Sequence, residues 1–191
     1  MKTLMSETAV KFSDSAALSV DTANLREYTK YFHAGQRVLL SGAVYTARDA
    51  AHKRFAEILS SGKKLPFELD GAVIYYAGPT PASPGKPIGS CGPTTSGRMD
   101  SFAPDLLDRG LLGMIGKGER SKTVREAVIR NNAVYFAAIG GAGALAAASV
   151  LSCEVIAFPE LGCESVKRLI FKDFPLIVAN DCNGGDIFGK K

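Results

Sequence analysis

The sequence predicts an α/β domain with a mainly parallel sheet covered by helices. Three observations carry that prediction. Short apolar runs at 37–42, 71–78, 111–116 and 133–138 have the length and composition of buried strands. Stretches with helical apolar spacing, at 46–59 and 121–130, lie between them. Strand and helix therefore alternate through the middle of the chain, the pattern of a parallel sheet. Toward the C-terminus, 153–158, 168–171 and 176–179 read as short strands set close together. They predict a second, more antiparallel sheet.

Taken in order, residues 1–12 show little patterning and are expected to form a loose N-terminal arm. A first short strand is expected at 16–20, then a short helix at 25–32 closed by Gly35. The strand at 37–42 ends on Gly42. The helix at 46–59 is expected to be capped by Thr46. Its apolar face is Ala47, Ala50, Ala51, Phe55 and Leu59, and Ser60-Ser61-Gly62 stops it. After the strand at 71–78, residues 79–86 form a Pro/Gly/Ser loop suited to line a cleft. In the stretch 88–100, Gly92-Pro93 sets a sharp turn, and Thr94, Thr95 and Ser96 stand where a helix can begin. The helix at 121–130 puts Val124, Ala127 and Val128 on one face. The strand at 133–138 runs into Gly140, Gly141 and Gly143, and 142–150 is expected to be a small buried helix. Asn183-Gly184-Gly185 reads as a turn.

At 191 residues, with no internal repeat or low-complexity tract, the chain reads as one domain over 1–191. Hydrophobic content of 46% and charged content of 22% are ordinary for a soluble globular protein. No apolar run is long enough for a membrane span, and residues 1–20 show no secretory signal. The net charge is +4, but Lys and Arg are scattered among 19 acids. That balance favours anionic ligands over nucleic acid, which needs a clustered basic stripe. The cysteines at 91, 153, 163 and 182 form no Cys-x-x-Cys pair. Their spacing is poor for a self-contained metal or iron–sulfur site. Two disulfides are compatible with it, but a reduced, cytoplasmic chain is the expectation.

Several constellations can carry chemistry. Arg48 opens a helix just past a strand end, where open α/β sheets place ligands. A cation in a first helical turn opposes the helix dipole, so an anionic partner would explain it. Asp49 and Lys53 are spaced as a surface ion pair, and His52 reads as a structural histidine rather than a ligand contact. In the motif at 88–100, hydroxyls and unpaired N–H groups at a helix start suit a carboxylate or phosphate, with Arg98 pointing at the same mouth. An ordinary capped helix with a surface Arg fits the same residues. Gly116-Lys117-Gly118 also follows a strand. It is not a phosphate-binding P-loop, because Leu111 stands where that motif needs Gly and Gly118 where it needs Ser or Thr. Its glycines allow close approach of a ligand, and an exposed turn lysine is the plain alternative. Gly141-Ala142-Gly143-Ala144-Leu145-Ala146 matches a dinucleotide pattern, with Glu160 at the distance of a ribose contact. A nicotinamide enzyme is therefore a rival reading, although the pattern falls late and the glycines equally suit a packing turn. Together, Arg48, Arg98 and Lys117 at strand ends suit a ligand with two carboxylates. No obvious electrophile accompanies them.

These stretches carry a resemblance. Ser41-Gly42, the run from Tyr45 to Arg54, Gly92-Pro93-Thr94-Thr95-Ser96-Gly97-Arg98-Met99-Asp100, Ile115-Gly116-Lys117-Gly118, and Ala133-Val134-Tyr135-Phe136 with the glycines at 140–143 resemble the β subunit of class I, iron–sulfur-dependent fumarate hydratase. That family includes the β subunit of L(+)-tartrate dehydratase. In single-chain relatives the region is the C-terminal domain. The resemblance implies a swivelling β/β/α three-layer domain with a mainly parallel central sheet and a second, more antiparallel sheet. It implies a separate α subunit carrying a 4Fe-4S cluster, none bound by this chain alone, and an α2β2-type assembly. It implies a small dicarboxylate substrate bound by Arg48, Arg98 and Lys117, with Thr95 a further substrate contact. Thr94 matches the hydroxyl that handles the substrate C3 proton, and His52 receives no catalytic role. The Gly141 region then reads as packing. The run Thr94 to Asp100 resembles the fumarase form more than the tartrate form, while Ser90-Cys91 also occurs in the latter. A stand-alone dicarboxylate-binding domain without catalysis is the alternative of another class.

Overall fold

The computed structural model describes residues 17–139, 141 and 143–189. The expected arm at 1–12 lies outside them. The apolar runs form strands β1 (Leu18–Asp21), β2 (Arg37–Thr46), β3 (Val73–Tyr75), β4 (Gly113–Gly116), β5 (Val134–Ala137), β6 (Val150–Ala157) and β7 (Val166–Asn180). The helices are α1 (Leu25–Tyr28), α2 (Asp49–Ser60), α3 (Ala103–Asp108), α4 (Lys122–Arg130) and α5 (Gly143–Ala148). No helix among the described residues is long and apolar enough to cross a membrane.

The strands lie in the order β1-β2-β3-β4-β5-β7-β6. From β1 to β5 each neighbour is parallel. β7 then runs antiparallel to β5, β6 and β2. The pairing of β7 with β2 closes β2, β3, β4, β5 and β7 into a barrel-like ring. The chain is thus a mixed α/β domain, mainly parallel, and its antiparallel part is continuous with the parallel part through β2 and β7.

Two apolar cores follow from the two-residue period of the strands. Val73, Tyr75, Ile115, Val134 and Phe136 face the ring interior, with Val38, Leu40, Phe171 and Leu176. The alternate residues Ile74, Tyr76, Met114 and Tyr135 face the helices, against Phe55 of α2, Leu107 of α3 and Val124 and Val128 of α4. Both faces are covered, so these strands read as unbroken apolar runs rather than alternating ones.

Some elements differ from expectation for local reasons. The helix expected from Thr46 begins at Asp49. Thr46 is still in β2, where its buried hydroxyl donates to the Ser165 carbonyl (3.3 Å) and accepts from the Lys167 N–H (3.1 Å). No full helix starts at Thr94 to Ser96; a single 3₁₀ turn at Ser96–Met99 forms instead, and Thr95 makes no side-chain cap. The strands expected at 168–171 and 176–179 are one strand, β7. A bulge sets Lys172 and Asp173 opposite Ser41, whose hydroxyl accepts from the Asp173 N–H (3.0 Å). The helix expected to be buried at 142–150 is largely exposed as α5, with Leu145 49% accessible.

Gly42, in mid-strand beside this bulge, has φ of +103°, and a methyl group there would collide with Thr22 Oγ1. Gly42→Ala is expected to lower the unfolding free energy by about 2–3 kcal/mol, measured by urea denaturation.

Candidate functional site

β2, β3 and β4 are neighbours, and their C-terminal ends bring together all five residues singled out from the sequence. β2 leads into Arg48, an extended residue preceding α2. The Arg48 side chain lies over Gly78, beyond β3, where a methyl group would sit 2.7 Å from Nη1. Its Nη2 meets Glu164 Oε1 at 3.2 Å, while Glu164 Oε2 accepts from the Ala50 N–H (3.0 Å). Glu164 therefore neutralises the guanidinium and also places a carboxylate at the positive end of α2. This is the anionic partner that the sequence leads one to expect for Arg48, which stands just before α2 rather than in its first turn, and it comes from far along the chain.

Arg98 arrives on the 3₁₀ turn and is gripped by Asp49: Nε donates to Oδ1 at 2.9 Å and Nη2 lies 2.7 Å from Oδ2. Asp49 does not pair with Lys53 as its spacing suggests, because this fork from across the fold fits a planar guanidinium better. Asp49 Oδ2 is also 4.0 Å from Arg48 Nε, so one carboxylate links the two arginines.

Thr94, Thr95 and Lys117 are joined by main chain. The Thr94 N–H donates to the Tyr76 carbonyl (2.7 Å), just past β3. The Lys117 N–H donates to the Thr94 carbonyl (3.2 Å), and the Ser96 N–H to the Lys117 carbonyl (2.9 Å). Residues 94–96 thus extend the sheet by one parallel bridge beside the end of β4. Thr94 is half-buried, and Thr95 and Lys117 are exposed. Lys117 makes no ion pair among the described residues, whereas both arginines do.

Beneath this surface lies a polar layer that spacing alone did not reveal. Ser96 Oγ lies 2.9 Å from the Tyr135 hydroxyl, which donates to the Gly118 carbonyl (2.7 Å). Burial pushes the Tyr135 pKa up to about 12, so the phenol keeps its proton. Arg120 is fully buried; its Nε donates to Asp100 Oδ1 (2.7 Å), and its guanidinium lies 5.0 Å from the Tyr135 ring centre and 5.3 Å from that of Tyr76. Asp100 Oδ2 accepts from the Ser121 N–H (2.6 Å). His52 is buried against Tyr76, Phe55 and Phe102, and its Nδ1–H donates to the Arg48 carbonyl (2.9 Å). Burial drives its pKa down to about 4, against that hydrogen bond and with the help of the Arg120 charge. It is a neutral core residue.

The rival sites are otherwise employed. The Gly143 carbonyl accepts from the Cys91 N–H (3.0 Å), a packing contact. Glu160 faces Arg54 at 3.6 Å on the surface; Gly140 and Ala142 lie outside the described residues. All four cysteines are free. No group of three or more metal-ligating side chains assembles among the described residues. Burial raises the Cys91 thiol to about 12, the reverse of what a thiolate ligand needs.

Comparison with known proteins adds an independent finding. The family model described as Fumarase C-terminus matches residues 2–191. The chain is 38% identical over 183 residues to Fumarate hydratase class I, anaerobic, of Escherichia coli (strain K12), covering 94% of this chain and 32% of that protein. It is 41% identical over 155 residues to Fumarate hydratase 1, mitochondrial, of Leishmania major, covering 80% of this chain and 28% of that protein. It is 32% identical over 161 residues to L(+)-tartrate dehydratase subunit beta of Escherichia coli (strain K12), covering 82% of this chain and 79% of that subunit. The chain thus spans about a third of the fumarate hydratases it matches and most of the tartrate dehydratase subunit.

The depressed His52 pKa makes stability fall on acidification: below about pH 6.5 the unfolded chain takes up a proton that the folded chain refuses down to about pH 4. This group is expected to cost about 1.4 kcal/mol per pH unit across that window. Urea denaturation at pH 7, 5.5 and 4.5 should show a shallower pH slope for His52→Asn, which keeps a donor for the Arg48 carbonyl and does not titrate.

Proposed function

Because this chain belongs to the Fumarase C-terminus family, we propose that it forms the β half of an iron–sulfur hydro-lyase that reversibly hydrates fumarate to (S)-malate. The observation that carries the reading is the convergence of Arg48, Arg98 and Lys117 with Thr94 and Thr95 at three adjacent strand ends. Its similarity to hydro-lyases supports the class of reaction.

In this reading one substrate carboxylate meets the free edge of Arg98, whose Nε and Nη2 are already held by Asp49. A guanidinium has donors to spare on its remaining nitrogen. Lys117, which makes no ion pair among the described residues, takes the second carboxylate together with Arg48. Charge-assisted bonds of this kind contribute about 1.5–3 kcal/mol each. Thr95, exposed beside Lys117, adds a hydroxyl contact. The half-buried Thr94 hydroxyl moves the proton at the carbon next to the one that gains or loses water. A threonine hydroxyl needs an activating neighbour for that work, and none of the five side chains is an electrophile.

Both deficits point to a partner. We assign to it an α subunit bearing a 4Fe-4S cluster, which supplies a Lewis acid for the departing hydroxyl, in an α2β2-type assembly in the cytoplasm. This chain's own part is to bind and orient the dicarboxylate and to move the proton. L(+)-tartrate dehydratase is the second reading, favoured by the high coverage of that β subunit.

The test is an anaerobic assay of the reconstituted αβ complex on (S)-malate and L-tartrate. Malate turnover is expected. Arg98→Ala should lower kcat/KM by about 100-fold, a loss of about 2.7 kcal/mol of transition-state binding. Thr94→Ala should lower kcat by about 100-fold or more. Turnover of tartrate alone would move the assignment to the second reading. Turnover of neither by a cluster-loaded complex would leave a non-catalytic dicarboxylate-binding domain.

A further inference from the structure

The surface that presents Thr94, Thr95 and Lys117 consists of two separate loops, and main-chain pairing at 94–96 holds them at one point. The two loops also share a single side chain from below. Tyr135, buried on β5, accepts from Ser96 Oγ (2.9 Å) and donates to the Gly118 carbonyl (2.7 Å). Ser96 belongs to the threonine turn, and Gly118 directly follows Lys117. Geometry leaves little freedom in this arrangement: any Cβ at Gly116 would collide with Ser96 Oγ and come within 2.9 Å of Tyr76. Arg120 lies over the Tyr135 ring and ties down Asp100, the residue that follows the same turn. Neither hydroxyl reaches the surface, since Ser96 and Tyr135 are both fully buried.

We infer that Tyr135 is a positioning residue: its hydroxyl, linked to Ser96 and Gly118, fixes the distance between the threonine pair that handles the proton and the Lys117 ammonium that takes one carboxylate. The inference rests on the dicarboxylate reading above. Tyr135 touches no substrate and acts through the two loops. Removing its hydroxyl leaves the Gly118 carbonyl and the Ser96 hydroxyl without their partner, so the loops hold at the main-chain bridge and, further along, through Asp100 to Arg120 and Ser121.

The test compares Tyr135→Phe, which keeps the ring and the Arg120 contact, with wild type in the αβ complex. KM for malate is expected to rise about tenfold, equivalent to about 1.4 kcal/mol, with kcat changed less than about threefold. Hydrogen exchange at the Ser96 and Lys117 amides should accelerate by about tenfold or more, with or without substrate. Val128→Ala serves as control: it opens a cavity under α4, touches neither loop, and should lower the melting temperature without changing KM. Unchanged KM and unchanged exchange in Tyr135→Phe would overturn the inference, as would an equal rise in KM for Val128→Ala. Accelerated exchange in Tyr135→Phe, where the wild-type complex itself binds no dicarboxylate, would uphold the brace and sink the functional reading instead.

Discussion

The fold depends on β7. Its fifteen residues are long enough to run antiparallel along β2 on one edge while meeting β6 and then β5 on the other. Without it, β2 and β5 would be the open margins of the parallel ladder, with unpaired N–H and C=O groups facing an apolar interior. Buried peptide groups left unpaired are costly, so the hydrogen bonds to β7 and the apolar contents of the ring form together. Phe171 and Phe174 of β7 stack at 4.5 Å between ring centres, and Tyr75 of β3 packs against both. The bulge at Lys172 and Asp173 lets one strand bend around this cluster. Closing the ring also fixes β2, β3 and β4 side by side, which makes a shared edge for the loops that follow them.

That edge is organised by charge on top and by neutral hydrogen bonds beneath. Asp49 and Glu164 hold two arginines in place before any ligand arrives. The carboxylates restrict side chains that would otherwise lose several rotatable bonds on binding, and they reduce the positive charge the surface presents. Below, Tyr135, Ser96, Asp100 and Arg120 form a buried polar layer in which nearly every atom has a partner. A polar layer of that kind specifies one geometry more strictly than apolar packing does. The residues proposed to face a ligand and those that hold the frame are thus separate sets on the same turns.

Much of this was legible in the sequence, and the boundary has a physical cause. Strand runs and the helix at Lys122–Arg130, capped by Ser121, depend on local pattern and could be read directly. Arg48, Arg98 and Lys117 could be singled out because each follows a strand and a small or polar turn, while Thr94 is marked out by the family resemblance. Partners across the fold could not. Asp49 looks like a mate for Lys53 until β2 and β3 are known to be neighbours, which brings Arg98 within reach. Glu164 carries no signal at all, since only the antiparallel return of β7 places the residues before it beside α2. The single strand at Val166–Asn180 reads as two in the sequence because Asp173 and Pro175 interrupt its apolar pattern. Both are accommodated by the bulge and by a position opposite Leu39.

The two arginine–carboxylate pairs also bear on how a ligand would arrive. Long-range attraction depends on the net field that a surface projects, and paired charges project little beyond a Debye length. Of the three cations at this edge, Lys117 alone sends an uncompensated field outward from the described residues. In the proposed reading a dianion would therefore be gathered mainly by diffusion and sorted at contact, where the directions of the fixed donors matter more than their total charge. Discrimination at such a surface resides in how long a molecule stays rather than in how fast it comes.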